Sequence, residues 1–153
     1  MTFHCTVDSP IGMLTLVEED GALKELHFGA QPQARQDDTP LLKQAAQELR
    51  EYFGGQRSCF TVPLAPDGTD FQRKCWQALC KIPYGETRTY AQQACLIGQP
   101  KACRAVGMAN HRNPLPIFIP CHRVIGKNGK LTGYAGGLKT KEILLTIERM
   151  NRP

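Results

Sequence analysis

The chain has 153 residues, 41% hydrophobic and 22% charged, which suits one globular domain or two small ones and, with no apolar run of about 18 residues, excludes a membrane-spanning helix. Its seven cysteines are odd in number and form no C-x-x-C pair, and "MTFHCTVDSPIG" is no secretory signal, so reduced thiols in the cytoplasm are expected rather than a disulfide framework or a zinc site. The net charge of +5 is lopsided, with 5 Lys/Arg against 9 Asp/Glu over residues 1–63 and 14 against 5 over residues 64–153, so the basic half is a candidate for binding a polyanion such as nucleic acid.

In chain order, "TFHCTV" alternates with Phe3, Cys5 and Val7 on one face, and reads as a strand. "MLTLV" and "ALKELHF" follow as strands, joined by the turns "DSPIG" and "EEDG", which favours an antiparallel meander. Residues 29–38 read as a loop. "TPLLKQAAQELREYFGG" is a well-marked helix: Thr39 as N-cap, Pro40 at its first position, Leu42, Ala45, Ala46, Leu49 and Phe53 at helical spacing, and two glycines to stop it. "RSCFTVPLAPDG" is expected to be a connecting strand and linker, which sets a boundary between an N-terminal α/β domain at 1–65 and a second domain at 66–153.

The second domain reads as mainly helical. A helix is capped at Thr69 or Asp70 with Phe71, Cys75, Trp76 and Leu79 inward, "PYGETRTY" turns, "YAQQACLIG" is a short helix closed by Gly98, and "QPKACRAVGMAN" begins another with Pro100 near its first turn. Two short helices split by "IGQP" have the pattern of a helix-turn-helix, although such pairs also occur in plain helical cores. "PIFIP" is expected to be a strand, "GKNGKLTGYAGG" a glycine-rich hairpin or wing, and "LKTKEILLTIERM" a closing helix.

"IPCHRVIG" places a thiol, an imidazole and a guanidinium inside an apolar run. Cysteine reacts as the thiolate, which a neighbouring base or cation favours. In a strand, Cys121 and His122 would point apart, so their cooperation needs a kink after Pro120 or a bridging water. Glu148 follows Leu144 by four and Ile147 by one, near the inward stripe of the last helix, where a carboxylate needs a partner and an imidazole needs an orienting group. Cys121, His122 and Glu148 therefore read either as an activated nucleophile or as a buried core cysteine with a structural histidine and a solvated glutamate.

"IPCHRVIG", with "RAVGMANHRNP" before it and "GYAGGLKTKEILL" after it, closely resembles the O6-alkylguanine-DNA alkyltransferases. The resemblance covers residues 69–153, including "FQRKCWQAL" and "IPYGETRTY", and is looser over 1–68. It implies an α/β N-terminal domain followed by a mainly α, winged helix-turn-helix-like DNA-binding domain. The activity implied is a single-turnover repair in which Cys121 takes the alkyl group irreversibly, His122 relays its proton through a water, and Glu148 completes the chain. It further implies that Asn113 buttresses the turn holding the cysteine, that Tyr90 assists base flipping and faces the lesion, that Tyr134, Val124 and Ala135 line the guanine pocket, and that Arg104 fills the gap left by the flipped base. Ala105 and Gly107 would let that helix approach the minor groove, with Arg123 also on the DNA. The implied partner is duplex DNA carrying O6-alkylguanine, with O4-alkylthymine as a further lesion, bound by a monomer without cofactor. Many relatives have a serine where this chain has Ala135. Some carry zinc in the N-terminal domain, but His4, Cys5 and His27 make no four-ligand set, so no metal is expected. Two other classes fit parts of the pattern: a non-catalytic DNA-binding protein, against which the presence of Cys121 argues, and a cysteine hydrolase, for which no oxyanion motif is visible.

Overall fold

The computed structural model describes residues 1–31 and 35–152. It divides into two compact units, Met1–Asp67 and Gly68–Pro153.

In the first unit, β1 (Thr2–Val7), β2 (Leu14–Glu19) and β3 (Ala22–Phe28) form an antiparallel meander in the order β1-β2-β3. Cys5 lies opposite Leu16, and Leu16 opposite Leu26, so the alternating apolar residues meet on one face. The β2–β3 turn is Asp20-Gly21, both at positive φ (53° and 79°), the backbone that a two-residue hairpin linker requires. Helix α1 (Pro40–Phe53) begins where Thr39 Oγ1 accepts from the backbone N–H of Leu42 at 3.1 Å. It buries Leu42, Ala45, Ala46 and Leu49, and its last inward residue is Tyr52, not Phe53. The expected strand in "RSCFTVPLAPDG" is absent. Only Leu64 bridges to Leu23, because Pro63 and Pro66, on either side of it, lack the N–H that would extend a ladder. The middle of the expected 29–38 loop, residues 32–34, lies outside the described residues.

In the second unit, α2 (Asp70–Cys80) and α3 (Tyr90–Leu96) each start in a capping box, Thr69 with Gln72 and Thr89 with Gln92. Gly98, at φ 74°, turns the chain out of α3. Helix α4 (Cys103–His111) begins three residues after Pro100, because Pro100 and Lys101 are spent in a turn and Ala102 supplies the cap position. The three helices are tied by polar side chains as well as apolar ones. Trp76 donates its indole N–H to the Ala109 carbonyl at 2.8 Å. The buried amides of Gln93 and Asn110 exchange hydrogen bonds of 2.9 and 2.7 Å, and Gln93 also donates to the Cys75 carbonyl at 3.2 Å. Losing one partner would strand a buried amide at a cost of about 1–3 kcal/mol.

"PIFIP" is not a strand. Pro116 and Pro120 cannot donate to a ladder, and the chain instead folds tightly, with Ile117 at φ 76° and Ile119 N–H donating to the Leu115 carbonyl at 2.9 Å. The two-residue strand β4 (Arg88–Thr89) pairs in parallel with β5 (Val124–Ile125). The expected hairpin at 126–137 is a wing-like loop containing one 3-10 turn, Lys127–Gly129, and closed at its base by Gly126 N–H donating to the Lys130 carbonyl at 2.7 Å. Helix α5 (Leu138–Met150) ends the fold, burying Lys141, Leu144 and Glu148 on one stripe.

Candidate active site

The reactive segment is built on the turn that replaced the expected strand. A β-branched residue in the left-handed region, such as Ile117, costs about 1–3 kcal/mol and persists only where its surroundings impose it. Asn113 does so. Its Oδ1 accepts from Leu115 N–H at 2.9 Å and its Nδ2 donates to the Ile119 carbonyl at 2.9 Å, bridging both ends of the turn. The same amide hydrogen-bonds the Cys121 thiol.

After Pro120 the chain enters a single 3-10 turn, Cys121–Arg123. This is the kink that lets neighbouring side chains project around one turn rather than to opposite sides. All three residues are buried, His122 completely. Glu148 reaches the turn from α5. His122 Nε2 lies 2.6 Å from Glu148 Oε2, and Arg123 donates Nε to Oε1 at 2.8 Å and Nη2 to Oε2 at 3.1 Å. Gly85 N–H, from the "PYGE" turn, adds a fourth bond to Oε1 at 3.1 Å.

Arg123 is therefore not on a DNA-facing surface, as the sequence led us to expect. It is 7% exposed, gives Nη1 to the Ile82 carbonyl at 2.7 Å and stands over the Tyr84 ring at 5.7 Å. A buried carboxylate requires a matched cation, and the 3-10 turn swings Arg123 inward to supply it.

These contacts set the protonation states. Burial alone would raise the Glu148 carboxyl, but the hydrogen bonds and charges of His122 and Arg123 outweigh it and bring it down to about 2. Burial lowers the imidazole of His122 against the pull of Glu148, so the ring is neutral near pH 7. With Glu148 ionised, Nε2 carries the hydrogen and donates to it, which makes Nδ1 the basic nitrogen. Burial pushes the Cys121 thiol up to about 11, while the Asn113 hydrogen bond and the Lys141 charge pull it down. The resting thiol is thus protonated, because burial outweighs the groups that favour the thiolate. Flanking charge is already consumed by Glu148.

Lys141 escaped the sequence reading, since a lysine on a terminal helix looks like a solvated residue. The signal was its position three before Leu144 and seven before Glu148, on the buried stripe of α5. It is 1% exposed and donates Nζ to the carbonyls of Val124 at 2.6 Å and Thr132 at 3.1 Å. Burial lowers its pKa and the Cys121 charge opposes that. It is the cation nearest in effect to the thiol.

The other expected residues fall around this centre. Val124 is fully buried and Tyr134 nearly so, its phenol raised well above the ordinary range by burial and by the charges of Cys121 and Glu148. Ala135 is exposed. Arg104 and Ala105 are exposed on the first turn of α4, with Gly107 half-buried behind the Tyr90 ring. Among the described residues, no group of three or more His, Cys, Asp or Glu is placed to hold a metal ion.

Comparison with known proteins shows the family. The family model described as 6-O-methylguanine DNA methyltransferase, DNA binding domain, matches residues 70–150, and that described as its ribonuclease-like domain matches residues 3–66. The chain is 48% identical to the constitutive methylated-DNA–protein-cysteine methyltransferase of Bacillus subtilis (99% of this chain, 98% of the relative). It is 50% identical to the methylated-DNA–protein-cysteine methyltransferase of Methanosarcina barkeri (97% and 98%). It superposes on the crystal structure of Mycobacterium tuberculosis OGT in complex with DNA with a TM-score of 0.89 at 46% identity, over 99% of this chain and 95% of the other. The chain belongs to the 6-O-methylguanine DNA methyltransferase family.

Proposed function

We propose that the protein repairs DNA by transferring the alkyl group of O6-alkylguanine to its own Cys121 in a single turnover. The observation that carries this reading is a buried thiol at the end of a strained, Asn113-braced turn, followed in the chain by an imidazole whose Nε2 lies 2.6 Å from the Glu148 carboxylate.

The chemistry follows from those states. When the alkylated base is seated, the thiol proton passes through a water to His122 Nδ1, and Glu148 stabilises the imidazolium that forms. The sulfur attacks the alkyl carbon, a carbon–sulfur bond forms and the carbon–O6 bond breaks. The proton held by His122 returns to the leaving guanine, so the step balances without a cofactor or an outside acid. A thioether has no hydrolysable bond, which is why the transfer ends the protein's working life. Lys141 offsets the negative charge that develops on sulfur.

A base inside a duplex must leave the stack to reach this thiol. Residues 66–153 carry that work: Tyr90 faces the lesion, Arg104 replaces it in the stack, and Ala105 and Gly107 allow α4 to approach the minor groove closely. Tyr134, Val124 and Ala135 line the guanine pocket. Residues 1–65 serve as a scaffold. No described helix is long and apolar enough to cross a membrane; the protein acts in the cytoplasm as a monomer, with O4-alkylthymine as a second lesion.

The test is transfer of a labelled methyl group from an O6-methylguanine duplex. Cys121→Ser should accept none while binding the same duplex with nearly wild-type affinity. Label on that variant would move the acceptor role to another cysteine.

A further inference from the structure

Tyr90 and Thr132 lie 42 positions apart, yet their hydroxyl oxygens are 2.8 Å from each other. Tyr90 opens α3, and its ring packs against Gly107 of α4, where a Cβ would sit 3.8 Å from the ring carbons. The phenol therefore spans from the turn after Arg104 to the wing-like loop.

The wing end of this bond is the firmly held one. The Thr132 carbonyl accepts from Lys141 Nζ at 3.1 Å, and that buried ammonium is itself held by the Val124 carbonyl at 2.6 Å. The Thr132 methyl packs so closely on Gly126 that a Cβ there would be 2.9 Å away. Backbone and methyl are thus pinned, and a β-branched side chain has little χ1 freedom left. Its hydroxyl is a fixed point, anchored through Lys141 to the strand next to the Cys121 turn.

We propose that Thr132 is a positioning residue for reaction on duplex DNA: its hydroxyl fixes the Tyr90 ring in the orientation needed to face an extruded base. The inference rests on the role given to Tyr90 above. Free O6-alkylguanine enters without extrusion, so it does not need the tyrosine held. A hydrogen bond between neutral hydroxyls contributes about 0.5–1.5 kcal/mol, which is roughly a 2–12-fold change in rate.

The experiment measures single-turnover transfer from duplex and from free O6-alkylguanine for wild type, Tyr90→Phe, Thr132→Val, the double variant and Thr132→Ser, with thermal melting of each. Thr132→Val should slow the duplex reaction about 3–10-fold and leave the free-base rate and the melting temperature nearly unchanged. Thr132→Ser, which keeps the hydroxyl, should restore most of the duplex rate. The double variant should be no slower than Tyr90→Phe alone, the non-additivity expected of two groups in one interaction. A duplex rate for Thr132→Val at or above wild type, additive losses in the double variant, or equal losses on both substrates would overturn the assignment. Those outcomes leave the repair function standing, whereas wild-type protein that takes no alkyl group from duplex would remove both.

Discussion

Cys5 in the first unit and Cys121 in the second are both buried thiols, and the two differ in their neighbours rather than in their acidity. Cys5 on β1 and Cys121 after Pro120 are 4% and 8% exposed, and burial pushes each up to about 11. Around Cys5, the Arg50 charge is opposed by Asp37 and Asp38. Around Cys121, an amide and an ammonium both favour the thiolate, and a neutral imidazole follows directly in the chain. Burial alone makes an inert core cysteine. A base and an unspent cation make one that can give up its proton when a substrate arrives.

The buried carboxylates repeat the lesson. Glu48 of α1 is satisfied by neutral donors, Thr61 N–H at 2.8 Å, Thr61 Oγ1–H at 2.5 Å and Gln44 Nε2–H at 2.9 Å. It staples a loop to a helix. Glu148 is held by a guanidinium and an imidazole as well as the Gly85 N–H, so in the proposed transfer it would orient the base as well as hold the fold.

The largest difference should come from the thiols themselves. Cys5→Ser should leave methyl transfer at the wild-type rate, while Cys121→Ser should lower it by more than about 1000-fold, a loss of over ~4 kcal/mol of barrier lowering. Comparable losses in both, measured with labelled duplex, would break the contrast.

The carboxylates come next. Glu148→Gln leaves Arg123 without its counter-charge in the interior and should cost about 3–5 kcal/mol by urea unfolding. Glu48→Gln should cost about 1–3 kcal/mol and leave transfer by the folded protein unchanged. Glu148 also gives a signature in pH. Its folded pKa is depressed from 4.5 to about 2, so its contribution is full above 4.5 and is lost as pH falls from there toward 2. Glu148→Gln should flatten the stability curve in that window. A slope there equal to wild type would show that the carboxylate is not held as described.

Much of this could be read from the residues, and the failures share a cause. Thr39 and Gly98 marked helix ends, and the cap at Thr69 or Asp70 was narrowed to two residues, because capping is local chemistry, visible within a few residues. "PIFIP" looked like a strand because its apolar pattern is that of one. The prolines and the Asn113 brace, which force the left-handed Ile117, act through contacts that alternation does not encode. Arg123 was placed on the DNA by the resemblance alone, and its burial against Glu148 depends on the 3-10 turn, which the residues do not announce. Lys141 was missed because its partners are backbone carbonyls from two distant segments. Glu148 was found, since its spacing from Leu144 put it near the buried stripe before any partner was known.

Smaller effects sharpen the electrostatic side of the contrast. Lys141→Met keeps the length of the side chain and removes its charge. The Cys121 thiol should then rise further, and alkylation near neutral pH should slow about tenfold per pK unit, with the pH profile displaced to higher pH. A slower reaction with an undisplaced profile would reduce Lys141 to a packing role. The acid limb belongs to His122, whose pKa is lowered from 6.5. Activity limited by that base should persist below pH 6.5 and fall only as the ring protonates. Smaller still is Arg104→Lys, which keeps the phosphate-binding charge and loses the planar group. It should bind DNA almost as well, with the same steep loss of affinity in salt. Transfer from duplex should slow several-fold, while transfer from free O6-alkylguanine should not.

Cys121, and no other cysteine of the chain, should be the alkyl acceptor. Peptide mass spectrometry after mixing equimolar protein and O6-methylguanine duplex tests it directly. The expected result is a gain of one methylene mass on the Cys121 peptide, at one per protein, with the peptides of Cys5, Cys75 and Cys80 unmodified. An unmodified Cys121 peptide, or the same gain on any other cysteine, would contradict the account.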